Sequence, residues 1–230
     1  MTISVIIPTL NEEQALGQTL AGLSSSLVLE IILVDGGSTD RTLAIANDFC
    51  TNVPNARLVR APTGRARQMN EGAKAGRGDT FLFLHGDTQM PNDAPRIIES
   101  VLTDPAIVGG RFDVRFDTGS GWGPIISTLM NWRSRTSGIA TGDQAIFVRR
   151  RIFERLGGFA DIPLMEDIEF SRRLKRAGST VALRHTVITS FRRWEQQGPL
   201  RTILLMWTLR FLYWAGINPA RLSRWYEAVR

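Results

Sequence analysis

The sequence predicts an α/β protein built on a doubly wound, mostly parallel sheet with helices on both faces. Two short, β-branched apolar runs, residues 3–7 and 30–34, are each stopped by turn residues, as buried parallel strands are. Between them, apolar residues recur at helical spacing, which indicates a helix across residues 15–23. Strands and helices continue to alternate as far as residue 84, and this alternation is typical of such sheets.

The elements follow one another in a simple order. Asn11, followed by Glu12 and Glu13, supplies a cap and acidic first-turn residues for the first helix. Periodicity and turn residues then predict helices at 41–49, 65–75, 93–102 and 166–177, and strands at 57–60, 80–84, 108–116 and 145–148.

Residues 127–140 show no settled periodicity and carry Arg133 and Arg135. A connection of this length without regular structure is usually a functional loop. We therefore expect a mobile segment that covers the ligand-binding edge of the sheet.

The C-terminal segment, residues 199–230, contains a helix at 199–217 that is apolar nearly all round. Such a helix is buried in protein or in lipid. Arg201 and Arg210 interrupt it, and the uncharged run between them is too short to span a bilayer. We expect this tail to pack on the single domain of residues 1–198, in a dimer interface, or on a membrane surface.

The charge composition favours discrete anion sites. The chain carries 28 basic residues, and all except Lys74 and Lys175 are arginine, which suits fork-like recognition of phosphate or carboxylate. The net charge of +6 is scattered along the chain. We therefore expect an anionic small substrate or membrane surface and no nucleic-acid partner, with RNA binding as the simplest alternative for the charge.

Cysteine content and the N-terminal residues bear on the cellular compartment. Cys50 is the only cysteine, which rules out an intrachain disulfide framework and a Cys-rich zinc site. Residues 3–7 run into Pro8 without the basic region and longer apolar stretch of a signal peptide. We expect a cytoplasmic protein, and the alternative is a cytoplasmic protein that also contacts the inner face of the membrane peripherally.

Polar clusters follow three of the predicted strands, at Pro8-Thr9, at Asp35-Gly36 and at residues 85–87. In open α/β sheets, ligands bind in the crevice beyond the carboxyl ends of the strands. The sequence therefore predicts one ligand site at this edge of the sheet.

Five segments, read together, resemble the successive motifs of family 2 glycosyltransferases. In chain order they are IIPTLNEE (6–13), VDGGSTDRT (34–42), GRARQMNEG (64–72), GDTFLFLHGD (78–87) and MEDIEFSRRL (165–174). The resemblance implies a GT-A fold, which is Rossmann-like, with a nucleotide-binding half at about 1–90 and an acceptor half at about 91–198. Within the family, the chain is most similar to a small bacterial subgroup of arsenosugar-biosynthesis-type glycosyltransferases.

The resemblance implies inverting transfer of a sugar from a nucleoside-diphosphate sugar, commonly UDP-linked, to a hydroxyl of a small or lipid-linked acceptor. For Asp35 it implies a hydrogen bond to the base, and the alternative is a turn cap. The alternative for Asn70 is a structural hydrogen bond, and for Arg65 a solvated surface charge. The residues that the resemblance places at the nucleotide are Pro8, Thr9, Glu12, Asp35, Arg65, Asn70, Gly86 and Asp87.

Asp87 matches the last aspartate of the family's metal-binding motif, so the resemblance implies a divalent cation, Mn²⁺ or Mg²⁺. Such a cation neutralises the charge that develops on a departing diphosphate. His85 stands where the family usually has the first aspartate. It is the second candidate metal ligand, through its imidazole, and the alternative is a hydrogen bond at the end of the strand.

Asp167, with Glu166 beside it, begins a predicted helix whose dipole favours a charged carboxylate. By the family pattern, Asp167 is the base that takes the proton of the acceptor hydroxyl, and Glu166 orients the acceptor or the loop. A simple N-terminal cap explains the same spacing. Asp143 and Gln144 resemble the family's acceptor-side loop, with an ordinary turn as the alternative.

Two other functions are alternatives. A non-catalytic nucleotide-sugar-binding protein shares the fold, and the replacement at His85 favours it, whereas Asp87 and Asp167 together argue against it. A nucleotidyltransferase also needs a nucleotide loop and acidic metal ligands. It is expected to carry a Gly-rich basic loop directly after the first strand, where this chain has LNEE at residues 10–13.

Overall fold

The computed structural model describes residues 1–23, 30–118 and 121–229. The strands are β1 (Ile3–Thr9), β2 (Glu30–Asp35), β3 (Ala56–Arg60), β4 (Thr80–Phe83), β5 (Thr88–Gln89), β6 (Ile107–Phe116), β7 (Ile146–Arg149) and β8 (Ser179–Thr189). The helices are α1 (Leu16–Leu23), α2 (Thr42–Asn52), α3 (Arg65–Ala75), α4 (Ala94–Val101), α5 (Trp122–Ser137), α6 (Arg150–Arg155), α7 (Glu166–Ala177), α8 (Arg192–Gln197), α9 (Pro199–Trp214) and α10 (Pro219–Val229).

The strands form an eight-stranded sheet in the order β3-β2-β1-β4-β7-β6-β8-β5. Strands β3, β2, β1 and β4 run parallel to one another, β7 is antiparallel to both β4 and β6, and β8 is parallel to β6. Ile6 of β1 lies opposite Ile32 on one side and Phe83 on the other. The predicted doubly wound, mostly parallel sheet is confirmed, with β7 inserted as an antiparallel strand beside β4.

Helices cover both faces of the sheet because successive residues of a strand point to opposite faces. On one face, Ile7 belongs to a cluster with Leu16 of α1 and Ile98 of α4. On the other face, Ile6 belongs to a cluster with Phe170 of α7. All five side chains are fully buried, and burial of each contributes roughly 1.5–3 kcal/mol to stability.

Glu30 is a buried acid at the first residue of β2. Its carboxylate accepts hydrogen bonds from the Ser4 hydroxyl and the Arg77 backbone N–H, and the Arg57 guanidinium lies 2.8 Å away. Burial alone raises the pKa of Glu30, but these hydrogen bonds and arginines together lower it below the ordinary value. The charged carboxylate therefore joins β1, β2 and β3.

Replacement of Glu30 by Gln is expected to lower the free energy of unfolding at neutral pH by roughly 2–4 kcal/mol, because the buried hydrogen bonds and the pair with Arg57 lose their charge. Since the folded-state pKa is the lower one, Glu30 stabilises the fold above its unfolded-state pKa of about 4.3, and this contribution is lost as pH falls through the folded value. Urea unfolding at several pH values measures both effects. The exposed Glu99→Gln is the control, and parallel stability curves for wild type and Glu30→Gln contradict the prediction.

The prediction of a mobile segment at residues 127–140 is wrong, because most of these residues belong to α5. The helix ends at Gly138, whose left-handed backbone (φ 71°) suits glycine and whose N–H donates to the carbonyl four residues earlier. Its periodicity is hidden in the sequence because apolar residues occupy the outer side as well as the inner side. Ile126 is buried, whereas Ile125 and Trp132 are exposed.

Besides α5, four elements, β5, α6, β8 and α8, have no counterpart in the sequence-based prediction. Strand β8 pairs with β6 through register shifts between Ile107 and Gly109 and between Arg111 and Asp113. Many residues of β8 are partly exposed. These features break the alternation of apolar and polar residues by which a strand is recognised.

The apolar tail forms two helices, α9 and α10, because Gly216 takes a left-handed conformation (φ 88°) and Pro219 starts a new helix. Leu209 and Leu222 are buried in one cluster with Met165, at the start of α7. The inner side of the tail therefore packs on the domain. None of the helices in the described ranges combines the length and the hydropathy needed to cross a membrane.

Candidate active site

A cleft of about 280 Å³ opens at the carboxyl ends of β1 and β4. The first turns of α3 and α7 and the loop before β7 complete its walls, and α8 and α10 contribute Trp194, Ser223 and Tyr226. Ser223 and Tyr226 were not singled out by any sequence motif, because they come from the tail. The predicted nucleotide residues that line the cleft are Pro8, Thr9, Glu12, Arg65, Gly86 and Asp87.

Gln68 holds the ends of β1 and β2 together at this cleft. Its side-chain amide donates to the carbonyl oxygens of Thr9 at 2.7 Å and Val34 at 2.9 Å. Gly36 makes the contact sterically feasible, since a Cβ there would lie 2.8 Å from the Gln68 side chain. Sequence reasoning missed this residue. The signal that could have identified Gln68 is its position among the buried residues of α3, because a buried polar side chain needs a hydrogen-bond partner.

His85, Gly86 and Asp87 follow β4 and form one wall of the cleft. The Gly86 carbonyl accepts a hydrogen bond from the Thr19 hydroxyl at 2.9 Å. A Cβ on Gly86 would stand 3.3 Å from Cγ of Glu12, so glycine keeps this wall thin. Asp87 is half-buried and lines the cleft immediately beyond that glycine.

Gly142, in the short 3₁₀ turn Gly142–Gln144 before β7, contacts both His85 and Asp167. Its N–H donates to Oδ2 of Asp167 at 2.9 Å. A Cβ at this position would stand 2.2 Å from Nε2 of His85, so the histidine ring packs directly on the glycine. Oδ1 of Asp143 lies 3.1 Å from Nδ1 of the same ring. One turn therefore joins the candidate metal ligand to the candidate catalytic base.

Replacement of Gly142 by Ala is expected to lower the free energy of unfolding by about 1–3 kcal/mol, because the added methyl group must displace the buried His85 ring. Gly17→Ala is the matched control, since nothing lies within 4 Å of a Cβ at that helical position and alanine favours a helix. Urea unfolding measures both variants. Equal stabilities would show that the ring moves without cost.

Asp167 lies in the first turn of α7, next to Glu166, which lines the cleft, but Asp167 itself is not part of the lining. Two backbone N–H groups donate to its carboxylate. Ile168 donates to Oδ1 at 2.7 Å, and Gly142 donates to Oδ2 at 2.9 Å. These bonds and the helix dipole favour negative charge at this point. The N-terminal position is therefore compatible with a cap and equally with a proton acceptor.

Glu166 is almost fully buried, and its Oε1 lies 3.6 Å from NH1 of Arg65. Burial, followed by the Asp167 carboxylate, raises the pKa of Glu166, and Arg65 opposes the rise. Partial burial lowers the pKa of Arg65, but the carboxylates of Glu166, Asp143 and Asp167 together raise it. The Arg65 side chain is still 44% exposed, so it remains open to the cleft.

Backbone strain is concentrated at the borders of the cleft. Within the described ranges, three non-glycine residues have positive φ: Asn11 at 55°, Ala145 at 46° and Met165 at 70°. Asn11 follows β1, Ala145 follows the 3₁₀ turn, and Met165 immediately precedes Glu166. Such conformations cost about 1–3 kcal/mol each and tend to occur at functional sites.

Two arginines without a predicted site role lie near Asp143 and Asp167, to which both are electrostatically coupled. Arg133 comes from α5 and Arg210 from α9. Burial, followed by repulsion from Arg210, lowers the pKa of Arg133 to about 10, and burial lowers the pKa of Arg210. Nε and NH2 of Arg133 are buried without a hydrogen-bond partner. Positive charge therefore collects where α5 and α9 approach Asp167.

Asp35 and Asn70 do not line the cleft. Oδ2 of Asp35 accepts the N–H of Gly37 at 2.8 Å and that of Ser38 at 3.1 Å, which is the turn-capping alternative. The Asn70 amide donates to the Phe159 carbonyl at 2.8 Å and accepts the Phe159 N–H at 2.9 Å, which is the structural alternative.

His85 and Asp87 fit part of the coordination shell of a divalent cation. Nε2 of His85 is buried without a hydrogen-bond partner and lies against Gly142. In the part of the chain that the structure describes, no group of three or more His, Cys, Asp or Glu residues is arranged to hold a metal. A cation bound through one or two protein ligands completes its shell with phosphate oxygens and water. The pair therefore fits a cation that binds together with a diphosphate.

Residues 4–157, about two-thirds of the chain, match the family described as Glycosyl transferase family 2. The undecaprenyl-phosphate 4-deoxy-4-formamido-L-arabinose transferase of Pseudomonas paraeruginosa is 33% identical over 159 residues, which are 64% of this chain and 46% of that protein. The chain spans about half the length of the curated relatives it matches.

Two solved structures share the fold. S. aureus TarS 1-349 in complex with UDP-GlcNAc aligns with a TM-score of 0.64 and 19% identity, over 83% of this chain and 56% of that chain. Mannosyltransferase PcManGT from Pyrobaculum calidifontis, in complex with GDP-Man and Mn²⁺, aligns with a TM-score of 0.66 and 21% identity, over 82% and 56%. The fold is of the GT-A type. Because the family match runs from β1 through α6 and includes the His85-Gly86-Asp87 wall of the cleft, the chain belongs to glycosyl transferase family 2.

Proposed function

We propose that the chain is an inverting glycosyltransferase that moves a sugar from a UDP-linked donor to an acceptor hydroxyl. One observation carries this proposal. The turn at Gly142 contacts His85, beside the candidate diphosphate wall at Asp87, and also Asp167, the candidate base. The turn thereby joins His85, which lines the cleft with Asp87, to the candidate base Asp167, which lies beside the cleft residue Glu166.

The donor nucleotide is assigned to the wall formed by Pro8, Thr9, Glu12 and Gly86. Arg65 extends into the same cleft, where its guanidinium is suited to a diphosphate. Two proteins of the same fold were solved with UDP-GlcNAc and with GDP-Man, which supports a nucleotide-sugar donor. We choose UDP from the family resemblance, and we propose that Asp35 accepts a hydrogen bond from the base while its turn bonds to Gly37 and Ser38 shape the loop after β2.

Asp87 and His85 are the residues that we assign to a divalent cation, Mn²⁺ or Mg²⁺. When bound, the cation supplies positive charge that stabilises the departing nucleoside diphosphate. The structural neighbour in complex with GDP-Man and Mn²⁺ supports a cation in this fold. Asp143 orients the His85 ring through Nδ1, which leaves Nε2 available as a ligand atom.

Asp167 is assigned as the base. An acceptor oxygen that attacks the anomeric carbon from the side opposite the diphosphate inverts the configuration there, and Asp167 takes the proton that the hydroxyl loses. The Gly142 and Ile168 N–H groups hold the carboxylate in position. Glu166, paired with Arg65, orients the wall beside the acceptor.

The acceptor is assigned to hydroxyl compounds that are either small or lipid-linked. A relative whose name includes undecaprenyl phosphate supports the lipid-linked class. We place the chain in the cytoplasm, with the 199–217 helix against a second copy or against the inner face of the membrane. Its placement in the arsenosugar-biosynthesis-type subgroup stays a prediction.

A panel of nucleotide sugars, each with and without Mn²⁺, tests the proposal on the wild-type protein. We expect one UDP-sugar to bind in a metal-dependent manner and to be hydrolysed slowly in the absence of acceptor. Binding of a nucleotide sugar without any turnover, with or without candidate acceptors, favours a non-catalytic binding protein. Binding of nucleoside triphosphates in preference to nucleotide sugars, with release of pyrophosphate, favours a nucleotidyltransferase.

A further inference from the structure

The outer sides of α5 and α9 carry two rows of exposed apolar residues. The rows hold nine of the twelve large hydrophobic residues that are exposed in the described ranges, so this exposure is concentrated rather than scattered. The spacing of three or four residues places each row along one side of its helix. We call the two rows together the apolar face. Its residues are Trp122, Ile125, Leu129 and Trp132 on α5, and Leu200, Leu204, Trp207, Phe211 and Trp214 on α9.

Both rows lie on helices whose inner sides belong to one cluster. Ile126 and Met130, on the inner side of α5, share a cluster with Ile203, on the inner side of α9. Leu209, also on the inner side of α9, is buried against the start of α7. The inner sides of both helices are therefore buried within the chain, whereas the outer rows remain exposed and available to a partner.

The charges around the apolar face favour an anionic partner. Neither α5 nor α9 contains an aspartate or glutamate, and Arg201 is exposed at the start of α9. The other arginines of the two helices are engaged within the chain, Arg133 and Arg210 near Asp167 and Arg135 with Asp113. A symmetric dimer through these rows would place two acid-free, arginine-bearing surfaces against each other. An anionic lipid surface attracts the same charges.

The residue types and dimensions also fit a lipid surface. Four of the nine side chains are tryptophan, which favours the boundary between lipid and water because an apolar ring carries a polar N–H. Helix α9 has 16 residues and is therefore about 24 Å long. A helix of this kind lies in the plane of the interface with its apolar side inserted by several ångströms.

We propose that the apolar face docks on an anionic bilayer, with α5 and α9 lying side by side in the lipid interface. This proposal decides between the two partners of the tail considered above and adds α5 to the contact. The docking itself does not depend on the proposed function, but its benefit for a lipid-anchored acceptor does. Because α9 packs on the start of α7, docking brings this end of α7, which carries Glu166 and Asp167, close to the membrane, where an acceptor with a lipid anchor is at hand.

Vesicle co-flotation tests the docking without reference to activity. The probes are phosphatidylcholine vesicles with and without phosphatidylglycerol. Wild-type protein is expected to float with the anionic vesicles and to be released by high salt, since exposed charges are screened. Trp207→Ser with Phe211→Ser, and separately Leu129→Ser with Trp132→Ser, are each expected to weaken flotation by about tenfold or more.

Trp225→Ser is the matched control, because Trp225 is 52% exposed but lies on α10, outside both rows. This variant is expected to float like wild type. Retained UDP binding and thermal unfolding show that each variant is folded, so failure to dock is separated from failure of the proposed transferase function. The proposal is overturned by absence of flotation with anionic vesicles, by flotation that the row variants leave unchanged, or by a stable solution dimer that only the row variants dissociate.

Discussion

Asp167→Asn is expected to keep donor binding and to lower kcat by about 10²–10⁴-fold, the range that a positioned general base contributes. The amide retains an oxygen that can accept the Gly142 N–H but cannot take a proton from an acceptor hydroxyl. Steady-state transfer assays with the cognate donor and acceptor measure kcat, and calorimetry measures donor affinity. Unchanged affinity with reduced kcat assigns Asp167 to the chemical step.

Asp161→Asn is the matched control for this prediction. Asp161 is 62% exposed and pairs with Arg67 at 2.8 Å, outside the cleft. Its replacement is expected to leave kcat near the wild-type value. If Asp167→Asn also transfers sugar at the wild-type rate, Asp167 is a helix cap and another group accepts the proton.

Asp87→Ala is expected to lower kcat/KM by about 10²–10³-fold, because the charge on the departing diphosphate is no longer compensated through a bound cation. The variant is also expected to lose the Mn²⁺ dependence of donor binding. Titration of donor with and without Mn²⁺ measures this dependence directly. His85→Ala is expected to have the same effect on Mn²⁺ dependence, to a smaller degree.

Asp93→Ala is the corresponding control. Asp93 is exposed at the start of α4 and makes no side-chain capping bond. Asp93→Ala shows whether the loss of a carboxylate elsewhere on the protein also lowers kcat/KM, through a change in overall charge alone. Donor binding by Asp87→Ala that stays fully Mn²⁺-dependent would remove Asp87 from the metal site.

Most strands and helices of the N-terminal half could be predicted from the sequence, because the residue patterns that indicate them are local. Apolar strands stopped by Pro8 and by the Asp35-Gly36 turn, with helical spacing between them, predict β1, α1 and β2 closely. The later half was harder. Helix α5 carries apolar residues on two sides, and β8 is irregular, so neither matches a simple period.

The sequence by itself determined the α/β class, the strand-end position of the cleft, and the motifs that identify family 2. These depend on spacing along the chain and on turn residues, which act within a few positions of one another. Only the tertiary structure decided which side chains meet. The contact between Gly142 and His85 joins positions 57 residues apart, and Gln68 reaches Thr9 across 59 residues.

The same reason applies to Asp35 and Asn70, whose roles at the nucleotide stay predictions. Asp35 and Asn70 are occupied by backbone partners, and whether a polar side chain satisfies the fold or faces a ligand depends on its three-dimensional neighbours. Arg133 and Arg210 approach Asp167 because α5 and α9 pack together. Local patterns specify elements, whereas the packing of those elements specifies the site.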